Sequence, residues 1–201
     1  MDVNHPNYWN NKYQKQDTPW HTGSVNFPII NSIKNINKYK ICILGCGIAK
    51  DSILLSKMGH SVYAVDFALE PIEYLNNIKN KQDLDSLFPV NEDIFNLDES
   101  YLDFFDIVIE YTCFCAIDIN RRSEYIQVVS KILKQNGEFL GLFFPIKRKD
   151  EELGEGPPFY VNLEETISMF ENKFDIIKID KNIDSIKPRK GFEALVTMSK
   201  K

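Results

Sequence analysis

Two glycines one residue apart, Gly45 and Gly47 in "ICILGCGIAK", precede an acid that closes the next apolar run, Asp66 in "SVYAVDF". A residue without a Cβ lets backbone N–H groups pass close to a ligand, and a carboxylate at a strand end can accept both hydroxyls of a ribose. The pattern reads as a nucleoside site or, more plainly, as a tight turn. A dinucleotide fingerprint would carry a third glycine three positions beyond Gly47. That position is Lys50, next to Ala49, and this disfavours an NAD-dependent oxidoreductase.

Other side chains carry two readings each. Trp9 and Tyr13 stand four apart on a helical segment and could either dock it on the core or face a ligand. Asp93 could be a simple cap or turn residue. Arg121 and Arg122 open a helix at the cleft edge, where they are either solvated or able to attract an anion. The cysteines Cys42, Cys46, Cys113 and Cys115 lack the spacing of a structural zinc site, so no metal is expected. They read as buried reduced thiols, although Cys113 and Cys115, alternating along one strand end, could meet a soft metalloid.

The elements that must position these residues follow from periodicity. "KYKICILG", "HSVYAVDF" and "FFDIVIEYTCF" are rich in β-branched and aromatic residues and are separated by helically spaced segments, which predicts parallel strands with crossover helices. Helices are expected over 51–58, with Ile53, Leu54, Leu55 and Met58 on one side, then over 69–78, 124–133 and 163–170. "NGEFLGLFFP" gives a fifth strand, and "FDIIKID" and "FEALVTMS" an antiparallel final pair. The glycine- and proline-rich "KRKDEELGEGPPFYVN" after the fifth strand sits at the carboxyl edge of the sheet, where clefts of open α/β sheets lie.

With 201 residues, one domain is expected. The net charge of −5, with lysines scattered among acids, lacks the basic footprint of a nucleic-acid binder and favours a small-molecule ligand. No segment approaches the roughly 20 apolar residues of a membrane span, and the polar N-terminus has no leader pattern. A cytoplasmic protein without a membrane partner, monomeric or weakly homo-oligomeric, is the expectation.

Taken in order, "LGCG", "VDF", "NEDIF" and "DIVIEY" with the antiparallel terminal pair resemble the class I S-adenosylmethionine-dependent methyltransferases. More narrowly, "YWNNKYQKQDTPWHTG", the glycine segment, "DIVIEYTCFCAIDINRRSEY" and "EGPPFYV" are similar to the thiopurine methyltransferase and halide/thiol methyltransferase family. The resemblance implies a Rossmann-like α/β fold with a seven-stranded, mostly parallel sheet, an antiparallel C-terminal strand and helices on both faces. It implies one methyltransferase domain over 1–201, with 1–30 as a lid over S-adenosyl-L-methionine. Trp9, Tyr13 and Trp20 would belong to that lid, Gly45 would lie under the amino-acid end and Asp66 would meet the ribose. Asp93 and Ile94 would border the adenine, and Glu110 and Tyr111 the methionine part and methyl.

Tyr111 would be the catalytic, orienting group, and Phe159, Tyr160 and Arg122 would belong to the acceptor side. Several positions depart from the family's usual pattern: His21, Ala49, Glu110 in place of aspartate, and Phe159 in place of tyrosine. The implied reaction is methyl transfer to a small soft nucleophile, such as a thiol, hydrosulfide, thiocyanate or halide. Selenium, tellurium or arsenic species, an aromatic thiol, and a non-catalytic S-adenosylmethionine-binding regulator are the alternatives.

Overall fold

Seven runs form strands, the central ones because their side chains are covered on two faces. They are β1 (Lys40–Leu44), β2 (Ser61–Asp66), β3 (Leu87–Asn91), β4 (Phe105–Tyr111), β5 (Leu133–Phe143), β6 (Phe174–Asp180) and β7 (Ala194–Lys200). In the computed structural model, which describes residues 2–33, 37–147 and 156–201, they form one sheet in the order β3-β2-β1-β4-β5-β7-β6. β7 runs antiparallel to both β5 and β6, and the pairings from β3 through β5 are parallel.

The helices are α1 (Pro6–Gln14), α2 (Phe27–Ile30), α3 (Lys50–Lys57), α4 (Leu69–Gln82), α5 (Leu97–Ser100), α6 (Arg122–Ile132) and α7 (Leu163–Phe170). Successive strand residues point to opposite layers. Ile41 and Ile43 of β1 pack with Ile29, Leu55 and Leu75 from α2, α3 and α4. Cys42 and Leu44 pack with Ile126 and Val129 of α6 and Phe170 of α7. β1 lies between β2 and β4, with Leu44 level with Val65 on one side and Glu110 on the other. The chain order reverses at this point, so the cleft opens at the carboxyl ends of these three strands.

Boundaries differ from the sequence expectation where a local residue decides them. α4 continues past residue 78 to Gln82 and stops at Asp83, whose φ of 52° is left-handed. β4 stops at Tyr111 and does not run on through 114, because Thr112 takes a φ of 61° and turns the chain. In α3 the deepest residues are Ser52, Leu55 and Ser56, while Ile53, Leu54 and Met58 flank them, partly buried. The serine hydroxyls are satisfied inward, Ser52 on the Ala49 carbonyl at 2.7 Å and Ser56 with Ser86 at 2.8 Å. Half of the long loop expected after β5, residues 148–155, lies outside the described residues.

Candidate active site

The glycine turn is a close approach on both sides. Gly45 and Gly47 have φ of 55° and 54°, and a Cβ on Gly45 would lie 2.8 Å from the Cys113 sulfur. One on Gly47 would lie 2.9 Å from the Tyr13 hydroxyl. Gly45 therefore needs both its backbone freedom and its missing side chain. Asp66 closes the turn from β2: its Oδ2 accepts from Gly47 N at 2.9 Å and its Oδ1 from Ala68 N at 2.9 Å. Burial pushes this carboxyl up to about 6, against the two backbone N–H groups that favour its charge. Each oxygen keeps a second lone-pair site, so hydroxyl donors can still be accepted.

Above the turn lies a cavity of about 650 Å³, within the usual range for small-molecule sites. Gly45, Asp66, Asp93 and Ile94 line it from the sheet side, and Trp9, Tyr13 and Trp20 from the N-terminal segment. Asp93 is a cap as well as a lining residue, since its Oδ1 accepts from Phe95 N at 3.0 Å. The Phe95 ring is covered by the Arg121 guanidinium at 3.4 Å, which Glu124 holds in two hydrogen bonds of 2.8 and 3.0 Å. Of the two arginines, Arg121 reaches the cavity.

No residue of α1 is fully buried, and the helix lies against α4. Pro6 pre-forms its first turn and His5 caps it. Trp20 meets Trp9 and Tyr13 edge to face at 5.5 and 5.8 Å. The segment is tied down at several points: Asn10 Oδ1 accepts from Leu69 N at 2.8 Å and Asp51 Oδ1 from Asn26 N at 2.6 Å. Arg189 donates to the Trp20 carbonyl at 2.8 Å.

Glu110 and Tyr111, expected together near the methyl, point to opposite faces of β4. Glu110 is buried away from the cavity, and its Oε2 accepts from Cys113 N and Phe114 N at 3.2 and 3.1 Å. Tyr111 lines a smaller recess of about 70 Å³ beneath the glycine turn, with His21, Thr22 and Asp51. Its ring lies under the Arg189 guanidinium at 4.9 Å.

On the expected acceptor side, Pro157 and Pro158 line the cavity, and Phe159, Tyr160 and Arg122 do not. The Phe159 ring folds back over Gly156, into the space that a Cβ there would take. Arg122 is buried, stacks on Phe114 at 4.6 Å and donates to the Tyr160 carbonyl at 3.1 Å. It holds the proline segment and is turned away from the cavity.

Residues that the sequence reading missed complete this wall. Phe144, Ile186, Pro188 and Arg189 line it with Cys115 and Ile117. Arg189 is sandwiched between Tyr111 and Phe144, at 4.9 and 4.8 Å, and pairs with buried Glu193 at 3.6 Å. Apart from Glu193, four residues on, its partners Tyr111, Phe144 and Trp20 are far away in sequence, so no spacing rule marks its place in the wall. Burial pushes the Cys113 and Cys115 thiols up, which keeps them protonated. Among the described residues no group of three or more His, Cys, Asp or Glu is placed to hold a metal ion.

The fold comes first: it is the Rossmann-like architecture found in S-adenosylmethionine-dependent methyltransferases. A solved relative in fold, the 1,6-didemethyltoxoflavin-N1-methyltransferase of Burkholderia thailandensis, superposes with a TM-score of 0.75 at 16% identity, over 98% of this chain and 86% of that one. The family model of thiopurine S-methyltransferase matches residues 4–201, and the chain belongs to that family. Among its relatives, a probable thiol methyltransferase 2 of Arabidopsis thaliana is 28% identical over 97% of this chain and 85% of its own length. Thiocyanate methyltransferase 1 of the same plant is 26% identical, over 93% and 82% respectively.

The residues present fit the cofactor: a Cβ-free cradle at Gly45 beside a buried carboxyl that still has acceptor capacity. Since Asp66 is raised to about 6 from an ordinary 3.8, its contribution to stability is full below about pH 4 and is lost as pH rises through 6. Ribose hydroxyls favour the ionised form. Binding of S-adenosylhomocysteine is therefore expected to release a proton near pH 5–6, and its affinity to fall about tenfold per pH unit below about 6. Calorimetry in buffers of different ionisation enthalpy measures both, and a pH-independent affinity would exclude an ionising Asp66 from the contact.

Proposed function

We propose that this protein transfers the methyl group of S-adenosylmethionine to a small soft nucleophile: a thiol, hydrosulfide, thiocyanate or halide. The observation that carries this reading is the composition of one wall. Cys115, Ile117, Phe144, Pro157, Pro158 and Ile186 are apolar or protonated, and the cation Arg189 stands among them. The carboxylates Asp66 and Asp93 line the cavity from β2 and from the segment after β3. An acceptor facing this apolar wall must already be nucleophilic. A thiol with an ordinary pKa near ~8.5 is partly ionised at neutral pH, and a halide or thiocyanate wholly so. The names of the thiol and thiocyanate methyltransferases support the same acceptor class.

When bound, S-adenosylmethionine supplies an electrophilic methyl on a sulfonium. Asp66 would accept the ribose hydroxyls, Asp93 and Ile94 would border the base, and the glycine turn would pass under the amino-acid end. Residues 1–30 would act as the lid, anchored where Ile29 and Ile30 of α2 enter the core; Trp9 and Trp20 line the cavity, and a ring face there would attract a cation by roughly 0.5–2 kcal/mol. The proline wall excludes water from the acceptor. Alignment of the two reactants can lower the barrier by about 7–11 kcal/mol without a covalent intermediate. Tyr111, the expected orienting group, is set under Arg189 and would act by holding this cation at the wall. We place the protein in the cytoplasm, as a monomer or weak homo-oligomer acting on a small molecule, on the strength of its four free thiols and acidic balance.

The test is a panel of thiocyanate, iodide, hydrosulfide, methanethiol, an aromatic thiol and a selenium anion, with methylated products separated by gas or liquid chromatography. Transfer to at least one small anion is expected, with iodide faster than chloride. Cofactor binding without transfer to any member would leave a non-catalytic binder.

A further inference from the structure

Glu110 has no place in the steps above, yet it is 1% exposed and sits one residue before the end of β4. A carboxyl so placed needs a structural reason. Its single Oε2 takes both the Cys113 and the Phe114 amide hydrogens, closing the turn that Thr112 begins in a left-handed conformation, unusual for a β-branched residue. That turn is much of the wall: Thr112, Cys113, Cys115 and Ile117 all line the cavity. It also carries the proline segment. Phe159 N donates to the Cys115 carbonyl at 2.7 Å, and Arg122, stacked on Phe114, holds the Tyr160 carbonyl.

We propose that Glu110 is a positioning residue for the acceptor wall: through the Cys113 and Phe114 amides it fixes the turn on which the proline segment hangs, and its ionisation loosens that wall. The assignment of this wall to the acceptor rests on the function proposed above. The titratable and charged groups around Glu110 are Cys113 and Cys115 of the turn and Arg122 and Tyr125 of α6. Tyr125 and the two thiols stay neutral through burial; the Phe114 and Cys113 amides, then the Tyr125 hydroxyl, then Arg122 all favour the charged carboxyl, and burial opposes them. Burial wins and pushes Glu110 up to about 8. A neutral carboxyl is tolerated in this setting. An ionised one draws water toward it, and the turn is the cover that must give way.

The sign follows from an acid raised above its ordinary 4.5. The contribution of Glu110 to stability is full below about pH 4.5, declines as pH rises and is lost through about 8. The wall is therefore tight at neutral pH and loose at pH 9.

The experiment uses the full chain and its Glu110→Gln variant. Gln keeps the size and one carbonyl acceptor for both amides, and it cannot ionise. Thiocyanate or iodide is the acceptor, because neither titrates between pH 6 and 10. In the native protein the acceptor KM is expected to rise about three- to tenfold from pH 7 to 9.5, while the affinity for S-adenosylhomocysteine changes less than about twofold. In Glu110→Gln the KM should be flat with pH. Hydrogen exchange of the Cys113 and Phe114 amides, corrected for its intrinsic pH dependence, should accelerate over the same range in the native protein only.

Glu110→Asp, too short to reach both amides, should exchange fast at every pH, and it serves if the Gln variant does not fold. A shared pH profile in native and Gln proteins, or amides whose protection ignores pH, overturns the proposal. The exchange arm needs no acceptor, so it decides the role of Glu110 even if no member of the acceptor panel is methylated.

Discussion

Replacing Arg189 by methionine is expected to destabilise the protein by about 3–5 kcal/mol, the range for removing one partner of a buried ion pair. The side chains of Arg189 and Glu193 are 6% and 2% exposed. Without the guanidinium, Glu193 keeps Ser185 and Tyr111 as partners but no cation, against a burial that already raises its pKa. Removing both charges, Arg189→Met with Glu193→Leu, should recover most of the loss, because apolar replacements of a buried pair are often neutral or better. Urea unfolding of the three proteins measures this. A single variant within about 1 kcal/mol of the native protein would mean that Glu193 is carried as a neutral acid and the pair contributes little. Strap amides around Trp20 should also exchange faster in the single variant, since its carbonyl loses its donor.

The second large effect is on ligand binding. Asp66→Ala should weaken S-adenosylhomocysteine binding by roughly 1.5–3 kcal/mol, the range for hydrogen bonds to a charged group, or about 10- to 150-fold in Kd. Two causes act together: the ribose acceptor is lost, and Gly47 N and Ala68 N lose their partner. Asp66→Asn separates them, since one amide oxygen can still take a backbone hydrogen while the charge is gone. Calorimetry showing native affinity in a folded alanine variant would remove Asp66 from the cofactor contact.

The centre of the sheet was legible because both its faces are covered, so β1 and β4 read as dense apolar runs, whereas edge strand β6 leaves Ile177 and Ile179 exposed. α7 was legible to the residue: Asn162 caps it through Glu165 N at 3.3 Å, and its burial at Leu163, Thr166 and Phe170 has helical spacing. The glycine turn and Asp66 share one β-turn-α-β unit, so local spacing brought them together. Glu110 and Tyr111 show the limit. Adjacent strand residues point to opposite faces and cannot both face one cavity, so the alternation along β4 parts this pair. The wall around Arg189 was not legible, because Trp20, Tyr111 and Phe144 meet it only through the tertiary fold. The proline segment was recognised, but its two aromatic neighbours turned away once Arg122 took hold of its backbone.

One contact of the N-terminal segment reaches further than its size suggests. α4 begins at Leu69 after Ala68, which has no side chain able to cap a helix. The Leu69 amide instead finds its acceptor in Asn10, fifty-nine residues away on α1. The start of α4 is thus borrowed from a different part of the chain, and it stands directly behind Asp66. Whatever displaces the strap also strips that helix of its cap, an expense of about 0.5–2 kcal/mol that pulls the segment shut again. In the lid proposed above, closure over the cavity and the order of the loop behind Asp66 would therefore be one event, and release of a ligand would require both to be undone together.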